Sequence, residues 1–202
     1  MDTNKRYLPL IENWIYFGHL DLYRIIPSYP ESISDSMSST FETANALSRS
    51  APVFTYSHSG PRTVTIQLQL HREMMDATNI NISNLKSNVL NNFYKDEDYV
   101  DALIRNLQAC SVPKYTVYAS GAKAVEPPWV ALKFGESVFI KGVIRGNITV
   151  EYQKPILKDN KYAIVNISFT VSEIDPYDAD TIANQGSFRG ITRTMKSGPR
   201  RG

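Results

Sequence analysis

The chain has 202 residues, a formal net charge of +2, 42% hydrophobic and 21% charged residues, and one cysteine. That is enough apolar material for one sizeable core, while the near-neutral charge gives no general attraction to nucleic acid or to an anionic membrane. A single thiol excludes an internal disulfide framework and suits a reducing compartment; no run approaches the roughly 20 apolar residues of a spanning helix, and the opening MDTNKRYLPLIENW lacks the long apolar stretch of a signal peptide.

Residues 1–30 are rich in aromatic and aliphatic side chains, among them Tyr7, Leu8, Trp14, Ile15, Tyr16, Phe17, Leu22, Tyr23, Ile25 and Ile26. Gly18 interrupts the run and Pro27 and Pro30 end it, which predicts one or two short strands that either join a main sheet or reach a neighbour. Residues 31–50 are Ser-rich and read as a loop with a short strand around Phe41–Ala46. Val53–Tyr56 is strand-like, and Ser57-His58-Ser59-Gly60-Pro61 has turn chemistry. Thr63–Leu70 then alternates without a fault: Val64, Ile66, Leu68 and Leu70 share one face, and Thr63, Thr65, Gln67 and Gln69 the other.

Residues 76–95 are Asn-rich and read as a surface insertion. The acidic run Asp96-Glu97-Asp98 precedes Val100, Leu103, Ile104, Leu107 and Cys110, which follow helical spacing. Carboxylates at that place complement the helix dipole, and Pro113 closes the element. Val117–Tyr118 and Pro128–Phe134 are strand candidates. Val138–Tyr152 reads as a long strand containing Gly142 and Gly146, and a glycine there marks a bulge, a bend or a close backbone approach. Pro155 and Lys158–Lys161 form its loop. Val165, Ile167, Phe169 and Val171 alternate with Asn166, Ser168, Thr170 and Ser172 in the returning strand. Past Pro176 the chain is polar, with Arg189, Arg193, Lys196, Arg200 and Arg201, and reads as a tail.

Chemistry is sparse beside this β-structure. His19, His58 and His71 lack ligand spacing, and the SHSG turn lacks the strand–turn–helix setting of a nucleophile elbow. Asp175, Asp178 and Asp180 lack the ordered ligand ladder of a calcium loop. Asp96, Glu97, Asp98 and Asp101 are accounted for by helix capping, and Cys110 by core packing. No glycine-rich loop has phosphate-binding form. The expectation is a protein that is not an enzyme, with no catalytic residues, no metal and no cofactor.

The order of short motifs resembles the tube-like proteins of contractile phage tails and contractile injection systems, in particular the tube-initiator or baseplate-hub branch. The residues that carry it are Tyr56-Ser57 to Gly60 leading into Thr63–Leu70, and the helix near Val100–Leu107. After these come Pro127-Pro128 before a strand ending at Phe134-Gly135, and Gly142-Val143-Ile144. Tyr152, Pro155 and the exit Val171-Ser172-Glu173-Ile174-Asp175-Pro176 complete the set. The resemblance covers residues 50–176; the LysM module that some members carry has no counterpart after Pro176.

What the resemblance implies is a mainly β fold with one flanking α-helix, of α+β class: a tail-tube-like β-barrel or sandwich at 51–176. A 1–50 N-terminal arm with short strands would precede it, and a 177–202 polar, basic tail would follow. Such subunits assemble as a six-fold ring around a channel for genomic DNA, read without sequence specificity, beside adjacent tail-tube and baseplate hub or spike proteins. The location implied is the virion, after assembly in the host cytoplasm, with no membrane insertion. Tube subunit, initiator and hub or tail-completion protein all remain open. A wall strand should be polar on its lumen face and apolar toward its core, and the lumen-facing candidates are Thr65, Gln67, Gln69, Lys141, Arg145, Asn147, Thr149, Asn166, Ser168 and Thr170. The alternative from another class is a non-catalytic β-sandwich binding module of a phage baseplate, for host or cell wall.

Overall fold

A computed structural model describes residues 13–26, 28–45, 51–75, 98–117, 121, 123–135, 137–175, 179 and 182. The Asn-rich segment 76–95 and the basic residues of the tail lie outside these, as do Asp178 and Asp180. The described strands are β1 (Trp14–Phe17), β2 (Leu22–Ile25), β3 (Ser32–Ser36), β4 (Ser39–Ala44), β5 (Val53–Ser59), β6 (Thr63–His71), β7 (Lys114–Val117), β8 (Lys123–Glu126), β9 (Val130–Phe134), β10 (Val138–Ile156) and β11 (Tyr162–Glu173). Residues 72–75 form a helical turn, a 3-10 turn spans Gly18–Leu20, and α1 spans Tyr99–Ala109. The mainly β class with one longer flanking helix agrees with the sequence.

Seven strands form an antiparallel sheet in the order β2-β1-β9-β10-β11-β6-β3. Within residues 1–50, β1, β2 and β3 are members of this sheet, so the aromatic strands near the start of the chain join it rather than reach away. The sheet is open among the described residues, with β2 and β3 at its edges; the expected barrel is not closed within one chain.

Register puts apolar residues together on one face. Val64, Ile66, Leu68 and Leu70 of β6 lie opposite Val171, Phe169, Ile167 and Val165 of β11, and all eight are buried. Ile15 and Phe17 of β1 and Val130, Leu132 and Phe134 of β9 extend that surface. Helix α1 covers it with Val100, Leu103, Ile104 and Leu107, a set at the i, i+3, i+4, i+7 spacing of one helical face. Cys110 joins the same core, and burial pushes its thiol up to about 12.

Both strand glycines have the predicted uses. Gly142 sits where β10 and β11 approach closely: a Cβ there would lie 2.1 Å from the Ser172 carbonyl oxygen. Gly146 has φ +80°, a conformation L side chains rarely adopt, and lies in a register irregularity between Arg145 and Thr149. The turn expected at Ser57–Pro61 differs. Ser57, His58 and Ser59 belong to β5, and β3–β4 and β5–β6 form one long ribbon, with Gly60 N donating to Ser38 O at 2.8 Å across its joint. Pro155, expected in the loop, lies within β10, which runs to Ile156.

A four-residue ionic cluster ties the far end of the β10–β11 hairpin to the helix. Asp98 caps α1, accepting from Val100 N and Asp101 N at 3.0 and 3.1 Å. Its Oδ2 also accepts from Arg72 Nη1 at 2.5 Å and Lys161 Nζ at 2.7 Å, while Asp101 accepts from both cations at 2.7 and 2.8 Å. Arg72 Nε donates to Tyr162 O at 2.8 Å, so strand end, helix start and hairpin tip meet at one guanidinium. Burial alone would raise both carboxyl pKa values. For Asp98 the hydrogen bonds from Lys161 and the Asp101 backbone, with Arg72, outweigh it; for Asp101 those from Arg72 and Lys161 do, so both are lowered.

Asp98→Ala removes the cap and leaves Arg72, whose side chain is 4% exposed, short of its best partner. The expected loss is about 3 kcal/mol in a denaturant melt. Asp101→Ala, at a side chain 44% exposed, costs less. A group with a depressed folded pKa stabilises above its unfolded value and loses that contribution as pH falls through the folded one. Hydrogen-exchange protection of residues 157–161, corrected for intrinsic rate, therefore drops below about pH 4 while the β6–β11 centre stays protected. Unchanged protection at the tip would contradict this.

Candidate functional site

The sheet face away from α1 follows from the same alternation. Because the apolar residues of β6 and β11 point to the core, Thr65, Gln67 and Gln69 must point away, opposite Thr170, Ser168 and Asn166. Across β10 the register adds Arg145 beside Thr170 and Thr149 beside Ser168. Lys141 has the same parity as Arg145 and lies opposite Ala131 of β9. Asn147 is exposed inside the irregularity and is passed over by the cross-strand register. The ten residues singled out from the sequence thus lie on three adjacent strands, nine of them on one face by register.

This face is cross-linked by polar contacts rather than packed. Thr65 Oγ1 and Thr170 Oγ1 are 2.9 Å apart, and Ser32 Oγ donates to Gln67 Oε1 at 3.0 Å. A shallow groove of about 330 Å³ runs over it between Gln67, Thr149, Asn166 and Ser168, with Glu31 and Glu151 at its margin. Lys141 Nζ is 3.9 Å from Asp175 and 5.5 Å from the centre of the Trp129 ring. Carboxylates therefore stand on or beside a face that also carries Lys141 and Arg145.

Toward β2 the same face turns aromatic, which spacing alone does not reveal. Trp14, Tyr16 and Tyr23 come from β1 and β2, Trp129 precedes β9, and Phe139 is in β10. Their rings meet at 5.6 Å (Trp14–Tyr23), 6.1 Å (Trp14–Phe139), 4.4 Å (Tyr16–Tyr23) and 5.4 Å (Tyr16–Trp129), mostly edge to face. Phe139 is buried and the others are half-buried. Tyr16 Oη donates to Asp21 Oδ1 at 2.9 Å; burial and that carboxylate push its pKa up to about 12. The signal that could have found this cluster is the parity of Trp14 and Tyr16 against buried Ile15 and Phe17.

Reactive groups do not converge on this face. His58 is exposed on β5 with its ring nitrogen 3.2 Å from Ser57 Oγ, and His19 is buried with Nε2 3.2 Å from Ala109 O. Among the described residues no three His, Cys, Asp or Glu side chains are grouped to hold a metal ion, and no described helix is long and apolar enough to cross a membrane.

No family model matches the chain, and a search of curated proteins returns no match. One solved structure, a chain of the "Virion of native gene transfer agent (GTA) particle", is similar with a TM-score of 0.39 and 10% identity over 85% of this chain and 99% of that chain.

The two faces should respond differently to substitution. Gln67→Ala and Ser168→Ala are expected to shift stability by no more than about 0.5 kcal/mol. Their sequence neighbours Leu68→Ala and Ile167→Ala should each cost about 2–5 kcal/mol. Chemical denaturation of the four variants measures this; equal losses on both faces would overturn the assigned register.

Proposed function

We propose that the chain is a structural, ring-forming subunit of a phage tail or baseplate hub, a tube-like initiator or adaptor around a DNA-conducting channel. The observation that carries this reading is the sheet itself: seven strands with, among the described residues, an unpaired edge on each side, and one polar face in register. Open edges invite further strands, and closing the sheet across copies removes them. Pairing β3 of one copy with β2 of the next would extend the sheet around a ring, with Thr65, Gln67, Gln69, Lys141, Arg145, Asn147, Thr149, Asn166, Ser168 and Thr170 toward the lumen. Uncharged hydroxyls and amides dominate those ten, and few fixed cations means few phosphates held in passing. A six-fold ring in the virion, beside tail-tube and hub or spike proteins, without catalysis or cofactor, is the assembly this supports.

The runner-up is a non-catalytic binding module for host or cell wall, and the aromatic cluster is what favours it. Against it, the rings of Trp14, Tyr16, Tyr23 and Trp129 meet mostly edge to face, which makes a packed corner rather than the flat ring platform on which a sugar stacks.

Glu31 N donates to Gln67 O. Gln67 O therefore faces β3, and by alternation along β6 so does Thr65; Ser34, paired with Thr65, points its N–H toward β6, while Ile33 N and Asp35 N point toward the sheet edge. Ile33→Pro removes one outward donor without breaking a bond to β6, so the monomer should stay folded, losing about 1 kcal/mol for its half-buried side chain, while rings are abolished in native mass spectrometry and negative-stain images. A wild-type chain that remains monomeric at high concentration and with its tail neighbours would sink the ring reading.

A further inference from the structure

The ribbon formed by β4 and β5 carries a cluster of exposed aromatic surface. Every residue of both strands is exposed. Phe41 lies opposite Tyr56 and Thr43 opposite Phe54, so three aromatic side chains share one face of the ribbon. They are 53%, 56% and 66% exposed for Phe41, Tyr56 and Phe54, and the Phe41 and Tyr56 rings meet edge to face at 5.7 Å. A two-stranded ribbon alone in water is marginal, so a cover on this face would stabilise it.

The topology also places a matching surface. The ribbon leaves the sheet at Ser36 and Thr63; the row through that end runs from Thr63 to Ser172 and Val143, and the adjoining Gly142 continues it to Val130, Phe17 and Leu22. Tyr16, Tyr23 and Trp129 therefore lie at the same end as the ribbon's root but at the opposite edge of the sheet. Six strand spacings, about 29 Å, separate the two within one copy. Where β3 of one copy pairs with β2 of the next, the lateral separation of root and corner falls to about one spacing, roughly 5 Å, and a bend at the Ser38–Gly60 joint would bring the rings, which lie further out along the ribbon, over that corner.

We infer that the β4–β5 arm of one copy docks its Phe41, Phe54 and Tyr56 face on the Tyr16, Tyr23 and Trp129 corner of a second copy. This rests on the ring reading above and names the side-chain contact that would lock it. The pairing is heterologous, so it propagates around a ring rather than stopping at a dimer. Three aromatic side chains roughly half exposed supply about 300 Å². That is a substantial share of the roughly 800 Å² per partner of a standard interface, and strand pairing at the edges adds to it.

The test is photo-crosslinking of the full chain with p-benzoylphenylalanine replacing Phe54, with the covalent dimer mapped by peptide mass spectrometry. Crosslinks to residues 14–25 or 129 of a second copy are the expected result. Rings that form but crosslink arm to arm, to another face or to a different protein overturn the inference and leave the ring reading standing. Absence of any wild-type assembly overturns both. As a second arm, the double variant Phe54→Ser and Tyr56→Ser should keep the monomer's circular dichroism and thermal midpoint while the assembled fraction falls at least tenfold. An unchanged assembled fraction overturns the inference.

Discussion

The pairing of β6 with β11 is the constraint on which the rest of the molecule depends. Val64, Ile66, Leu68 and Leu70 meet Val171, Phe169, Ile167 and Val165 in strict register, and a slip of one residue would exchange every one of them for a threonine, glutamine, serine or asparagine. That penalty fixes which face α1 covers, and therefore which face is left for water. It also fixes the direction of β10, because β11 is sandwiched between β6 and β10. Gly142 lets the backbones close at one end, where a methyl group would meet the Ser172 carbonyl, and Gly146 absorbs the irregularity that lets β10 continue. The cluster of Arg72, Asp98, Asp101 and Lys161 fastens the other end.

What was legible in the sequence is what alternation and helical spacing encode locally. Thr63–Leu70, Val165–Val171 and the helix that starts after Asp98 could each be read because a core imposes a period on the residues facing it. The same rule explains why the polar residues named from sequence share a face: they are the complement of the buried set. β3 and β4 were not legible as a continuous strand of a ribbon. Ser32, Ser34 and Ser36 bear no apolar period, and β3 is held by cross-strand bonds to β6 and by Arg62 bridging to Asp35 at 2.5 Å. Such contacts come from residues some thirty positions away, beyond any local pattern. His58 reads as a turn residue because Ser-Gly-Pro follows it, yet those residues mark the joint of a ribbon that continues on both sides. The openness of the sheet could not be read at all, since edges are a property of strand order.

Two kinds of aromatic surface result, and they differ physically. In the corner of Trp14, Tyr16, Tyr23 and Trp129 the rings shelter one another on a pleated support, so the cluster holds its shape without a partner. On β4–β5 the rings stand on a ribbon with no layer behind it among the described residues. The first is a preformed receptor, which loses little conformational freedom when covered; the second must be ordered as it binds and contributes less per unit area for that reason. An assembly that joins such a receptor on one copy to such an arm on the next is stabilised mainly at the moment of contact. Phe41, Phe54 and Tyr56 are carried together on that one ribbon rather than spread over the polar face. Burying them against a neighbour would order the arm and fix the spacing of adjacent sheets in one step, so that the polar row of each copy would continue into the next.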